Sequence, residues 1–390
     1  VKQMRHLGLS PDFLMCRGKY YLKEGNRKKI SMFCHVDEPC VISIHDVSNI
    51  YRVPNLLIEQ GFPKLLYKRL RLGGRHQIKV KNIKEVELDA KLLADWKNLA
   101  STYDNVKDEV RIGLVGKYIN LQDSYLSVVK ALLHASLFCN KKLVIDWIDA
   151  ANLELCGELE SEDKLGKEAW DKLKKCDGIL VPGGFGDRAL EGKISAIKYA
   201  RENKIPFLGI CMGMQAAIIE FGRNVLNIAK SKSQEFCKEG EFEKLKECEK
   251  VVVFMPEGDK EKKGGTMRLG VKETKLLPNS LAKKLYEEEK SDVISERHRH
   301  RYEVNPKVVK NFESKSMRFS GKNCDLTGER MEIIELPSEV HPFFIATQFH
   351  PEFKSKPSKP APVFKGFINA SVKNKSGNQS IKENHKRKYC

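Results

Sequence analysis

Gly209-Ile210-Cys211-Met212-Gly213 closes an apolar run and opens the helical stretch Met214 to Phe221. This is the form of a nucleophile elbow with cysteine in place of serine. A sharp strand-to-helix turn forces the nucleophile into strained backbone angles, so its neighbours must be small, and the helix N-terminus favours thiolate at the sulfur. A free cysteine is more often a buried, inert side chain; the flanking glycines in a strand-turn-helix context argue for the nucleophile. A thiol needs a positioned base. Gln348-Phe349-His350-Pro351-Glu352 follows the strand-like Phe343-Phe344-Ile345-Ala346-Thr347, which sets His350 at a strand end, and Pro351 fixes a turn that lets Glu352 reach the other imidazole nitrogen. Cys211, His350 and Glu352 are therefore candidates for nucleophile, general base and acid, and orienter. The loop Pro182-Gly183-Gly184-Phe185-Gly186 carries little side-chain bulk, so the N–H groups of Gly183 and Gly184, with that of Met212, are candidate donors to an oxyanion. Alone, such a loop is a tight turn.

The elements that must hold these groups alternate. Val110 to Gly116, Leu143 to Ile148, Cys176 to Val181 and Ile205 to Ile210 read as strands, and Tyr125 to Phe138 and Ile194 to Glu202 as helices. The expected fold is α/β, a largely parallel sheet flanked by helices on both faces, with catalytic groups at the carboxyl ends of the strands. Residues 1–62 show short α/β units, too few for a self-sufficient domain. Residues 63–105 read as a charged, helical linker with Leu88, Leu92, Trp96 and Leu99 on one apolar side. The main domain is expected over 106–372 and a basic, disordered tail over 373–390. In Arg297-His298-Arg299-His300-Arg301 a strand would alternate its side chains, arginines on one face and histidines on the other. That reading is preferred to metal ligation, and no metal site is expected in the chain.

Across the 390 residues, 41% are hydrophobic and 31% charged, the composition of an ordinary globular protein. No apolar run is long enough to span a bilayer. The 11 cysteines include no CxxC pair, which argues against a disulfide framework or zinc site and for a reducing, cytoplasmic location. The net charge of +18 is read as solvated surface and tail, since no zinc finger or RNP-like signature accompanies it. Neither nucleic acid nor membrane is an expected partner.

The segments PGGFGDR (182–188), FLGICMGMQ (207–215), GGTMRLG (264–270), ERHRHRYEVN (296–305) and QFHPEF (348–353), in this order, resemble the class I glutamine amidotransferase domain of the CTP synthase family. The elbow and HPE belong to the wider amidotransferase class; GGTMRLG and ERHRHRYEVN are similar to CTP synthases alone. The resemblance implies that Cys211, His350 and Glu352 form a triad hydrolysing L-glutamine. It also implies that Gly184, Met212, Gly213, Met214, Gln215, Glu235 and Arg301 bind that substrate, Glu235 suiting its ammonium and Arg301 its carboxylate. Residues 1–62 resemble the end of the synthetase half of the family, with Lys29 at the UTP or CTP phosphates and His45, Asp46 and Val47 at the ATP adenine. The family aminates UTP to CTP with ATP and Mg2+, takes GTP as activator, and forms homotetramers and filaments; Arg188 and Arg268 are candidates for the GTP response. No GxxxxGK[ST] phosphate loop occurs, and the chain opens on Val1. It is therefore expected to be a piece or a natural truncation of a longer protein, retaining the glutaminase half. The alternatives are a different class I amidotransferase and a non-catalytic form acting in assembly.

Overall fold

The computed structural model describes residues 1–71, 83–117, 119, 122–154, 164–184, 186–255, 267–325 and 328–388, apart from the side chains of 83–89, 122, 324–325 and 378–388. The chain divides into two units, Val1–Val106 and Lys107–Cys390.

In the first unit, β1 (Leu14–Gly18) and β2 (Val41–His45) pair in parallel, Leu14 opposite Val41. The Gln60 side chain ties β2 to the helix Arg52–Glu59: its Oε1 accepts from Ser43 N at 2.8 Å and its Nε2 donates to Ser43 O at 2.9 Å. The helix Ile83–Asn105 docks through Trp96, whose Nε1 donates to Tyr51 O at 2.7 Å, and through the buried Ala100. Leu92, expected on the apolar side, is 55% exposed, because contact is made by the later turns, from Trp96 to Asp104, whose carboxylate accepts from Asn49 and Arg52. Leu88 lies outside the described side chains.

The second unit holds β3 (Glu109–Gly116), β4 (Lys142–Asp149), β5 (Gly178–Val181), β6 (Phe207–Ile210), β7 (Lys232–Ser233), β8 (Lys250–Phe254), β9 (Arg268–Leu276), β10 (Val293–His300), β11 (Tyr302–Val304), β12 (Arg318–Asp325), β13 (Gly328–Leu336) and β14 (Phe344–Thr347). Nine of these strands form one sheet in the order β10-β9-β12-β13-β14-β6-β5-β3-β4, and β11-β8-β7 form a small second one. The expectation of a largely parallel sheet is corrected here: β4, β3, β5, β6 and β14 run parallel, but every pairing from β14 out to β10 is antiparallel. The reason is legible in burial. The parallel strands β5, β6 and β14 are buried at every residue, giving continuous apolar runs, whereas β10 alternates exposed and buried. The antiparallel β13 is buried from Arg330 to Leu336, but Glu332 and Glu335 break its apolar run, and the alternation of β10 marks a strand without saying which strand it pairs with or in which direction.

Helices cover both faces of the sheet. Ile179, Val181 and Phe207 face a core shared with Leu190–Glu202 and Met212–Asn224; Leu180 and Leu208 face another with Leu126–Phe138 and the helix Pro362–Lys388. That last helix runs through most of the segment expected to be a disordered tail.

Candidate active site

Cys211 stands where β6 meets the helix Met212–Asn224, with φ 53° and ψ −103°. Such angles are strained for a residue with a Cβ, and persist because the surroundings enforce them. The glycines explain how the turn closes. A Cβ on Gly213 would lie 2.1 Å from Val181 O, and one on Gly209 would lie 2.8 Å from Ala346 Cβ. The turn thus presses against both neighbouring strands. Cys211 N donates to Thr347 O at 2.7 Å, which fixes the elbow to the end of β14.

The same strand end delivers the base. His350 Nδ1 and Glu352 Oε1 are 2.7 Å apart, and both residues are largely buried. Burial works against charge on the imidazole, but the Cys211 and Glu352 side chains outweigh it and raise its pKa to about 10. The turn carrying His350 is pinned twice: Gln348 N donates to Glu332 O and His350 N to Arg297 O, each at 2.8 Å. Gly183 packs directly on the pair, a Cβ there falling 2.9 Å from His350 Cε1 and 3.4 Å from Cys211 Cβ. Cys211, His350, Glu352, Gly183 and Gly184 line one cavity of about 160 Å³, with Arg299 at its wall. The N–H groups of Met212 and Gly213 lie in the first helical turn, where no intrahelical carbonyl is available to them.

Glu235 and Arg301 line a larger cavity of about 810 Å³. Glu235 Oε1 accepts from Gly186 N at 3.0 Å. Burial raises the pKa of this carboxyl, while the Gly186 N–H and the Lys117 and Arg301 cations pull the other way. Met214 and Gln215 are not in either cavity wall. Met214 is in the core, and Gln215 Nε2 donates to Tyr302 O at 2.9 Å and to Gln348 Oε1 at 3.3 Å. Of the GTP-response candidates, Arg188 is exposed beside the Gly186 loop. Arg268 is buried, donating to Asn323 Oδ1 at 2.9 Å and to Glu332 Oε1 at 3.4 Å. Phe185 and residues 264–266 lie outside the described residues.

The nucleotide candidates are all in the first unit. Lys29 is exposed on the helix Glu24–Cys34, Asp46 pairs with Arg17, His45 meets the Tyr21 ring edge-on at 5.5 Å, and Val47 is half-buried.

His298, His300 and Glu332 converge at metal-ligand spacing, all buried. Tyr302 O can only accept, so His300 Nδ1–H donates to it at 3.1 Å, leaving Nε2 to accept from His298 Nδ1–H at 3.2 Å. Burial lowers these imidazoles to about 2 and about 3. With Arg268 already on Glu332 and two imidazoles bonded to each other, this donor set does not suit Mg2+, which takes oxygen ligands and keeps water.

Three side chains beside the candidate site escaped sequence reasoning. Gln348 Nε2 lies 3.6 Å from Cys211 Sγ, Lys117 stands close to Gly184 and Gly186 of the glycine loop, and Lys193 Nζ lies 3.3 Å from Met212 Sδ. Lys193 left one signal: it falls on the helical stripe of Ala196, Ile197 and Ala200, where a charge is out of place.

Comparison with known proteins agrees with this geometry. Residues 120–370 match the family described as glutamine amidotransferase class-I, and residues 1–72 match that described as CTP synthase N-terminus. A CTP synthase of Dictyostelium discoideum is 47% identical over 378 residues, which cover 95% of this chain and 64% of the relative. CTP synthase 2 of Bos taurus is 47% identical over 377 residues, 96% of this chain and 60% of the relative. The chain thus spans 60–64% of the length of these curated relatives. Among solved structures, the glutaminase domain of Trypanosoma brucei CTPS with bound acivicin superposes with a TM-score of 0.58 at 37% identity, covering 68% of this chain and 94% of that one.

Proposed function

The chain belongs to the class-I glutamine amidotransferase family, and from that premise we propose that it hydrolyses L-glutamine as the ammonia-supplying part of a CTP synthase. The single observation that carries the reading is the convergence of Cys211, His350–Glu352 and the Gly183-Gly184 loop on one cavity.

Cys211 Sγ attacks the side-chain amide carbon of glutamine, and the carbonyl oxygen takes up the negative charge, met by the N–H groups of Gly183, Gly184 and Met212. His350, held protonated by Glu352, passes a proton to the departing nitrogen as the C–N bond breaks and ammonia leaves. A glutamyl thioester remains on Cys211. Water, losing a proton to His350, attacks the thioester carbon, the C–S bond breaks, glutamate leaves, and Cys211 and His350 return to the protonation states from which the cycle began. Glu235 faces the substrate ammonium and Arg301 its carboxylate, the ion pairing a zwitterion requires.

In the whole protein the ammonia would aminate UTP to CTP with ATP and Mg2+, under GTP activation, in a homotetramer or filament. Lys29, His45, Asp46 and Val47 are the proposed nucleotide contacts of this chain, and Arg188 the better placed of the two GTP candidates. The test is glutamate release by the purified chain with and without GTP, beside Cys211→Ala. Release that disappears in the variant is the expected result; equal release from both proteins would sink the reading.

A further inference from the structure

Lys193 lies in the helix Leu190–Glu202 that follows the glycine loop, on the same side as the fully buried Ala196, Ile197 and Ala200. It is 2% exposed, and its Nζ sits 3.3 Å from Met212 Sδ. A thioether is a weak, uncharged acceptor. Among the described residues no carboxylate forms an ion pair with this ammonium: Lys117 repels it, and Glu235 and Glu154 attract it from farther off. Burying a cation in that way is costly, and a methionine of similar length would fill the same space without the penalty.

Its position suggests a use. Met212 supplies one of the oxyanion donors, and its sulfur is held between Lys193 Nζ and Gly184, where a Cβ would stand 3.9 Å away. Gly184 supplies another donor. We infer that Lys193 is a positioning residue for the oxyanion: through Met212 it sets the two amides, and its charge adds positive potential at the Cys211 end of the helix. The inference rests on the glutaminase reading. An ammonium fixed 3.3 Å from the Met212 sulfur, on the residue that follows Cys211, places positive charge beside that turn. Burial lowers the Lys193 pKa to about 8, so the charge is present at neutral pH and is lost as pH rises through that value.

The experiment compares the full chain with Lys193→Met, in which length is kept and charge removed, and with Lys193→Gln should the first fail to fold. With Lys193→Met, kcat for glutamate release is expected to fall about tenfold while KM stays within about twofold, the signature of an interaction made in the transition state. Thermal melting should rise, since an unpaired buried charge has gone. Alkylation of Cys211 by iodoacetamide at pH 7 should slow, and the fall in wild-type activity through pH 8 should vanish. Unchanged kcat and unchanged alkylation, or a change confined to KM, would overturn the inference. If the wild-type chain releases no glutamate the glutaminase reading fails, whereas the alkylation comparison still decides the role of Lys193.

Discussion

At the scale of single residues, the site depends on a few side chains held in states they would not adopt in water. His350 is the clearest. Its pKa is raised above the ordinary imidazole value to about 10, so the folded chain keeps the ring charged through neutral pH and gives up that contribution as pH rises toward 10. Glu352, 2.7 Å from Nδ1, is one of the two groups responsible. Glu352→Gln should therefore lower the pKa of His350 and cut kcat by at least about a hundredfold, the range of positioned acid–base catalysis. A pH profile of glutamate release with an NMR titration of the ring would check both, and a variant within twofold of wild type would rule Glu352 out as orienter. Cys211, His350 and Glu352 were legible in the sequence because each sits in a short motif whose chemistry is local. Gln348 and Lys193 were not, because what matters about them is the group they meet, Cys211 Sγ for one and Met212 Sδ for the other.

At the scale of elements, the site is the meeting of two parallel strands, β6 and β14, which pair Thr347 with Ile210 and so bring nucleophile and base to the same end of the sheet. The helix after β6 can start there only because Gly213 has no side chain: a Cβ would strike Val181 O of β5 at 2.1 Å. Gly213→Ala is expected to cost about 1–3 kcal/mol, as overpacking of a tight interior does, and to disturb Cys211 as the helix shifts. Urea denaturation measures the first effect and glutamate release the second. A variant as stable as the parent would show that the close approach is not tight in solution. The antiparallel half of the sheet contributes differently. Its strands β10 and β13 hold His298, His300 and Glu332, and their backbone carbonyls at Arg297 and Glu332 fix the turn that carries His350.

For the whole molecule, pH is a simple probe of how the core is built. His134, His298, His300 and His341 are buried, and burial lowers them to about 4, 2, 3 and 4. A depressed folded-state pKa means that the unfolded chain takes up the proton first, so the stability these residues contribute is present above about pH 6.5 and declines as pH falls below it. Each should cost about 2 kcal/mol at pH 5 relative to pH 7, by about 1.4 kcal/mol per pH unit. Glu296, held up at about 7 by burial, works in the opposite direction, as do His350, raised to about 10, and the carboxyls of Glu235 and Asp177, which burial also raises, and together they offset part of the effect. The urea midpoint is expected to be lower at pH 5 than at pH 7; equal midpoints would contradict neutral burial of the four rings. The sequence by itself determined the elbow, the His-Pro-Glu turn, the five parallel strands' apolar runs and the alternation of Arg297, His298, Arg299 and His300 along β10. Those features are local, set by backbone angles and by a two-residue or 3.6-residue period. Only the tertiary structure decided that the sheet is half antiparallel, that Met214 enters the core and Gln215 bonds Tyr302 O and Gln348 while Glu235 and Arg301 line a cavity, and that a lysine is buried behind Met212. Each of these depends on which distant segments become neighbours, and burial, pairing and charge compensation are properties of that neighbourhood, not of the chain segment that enters it.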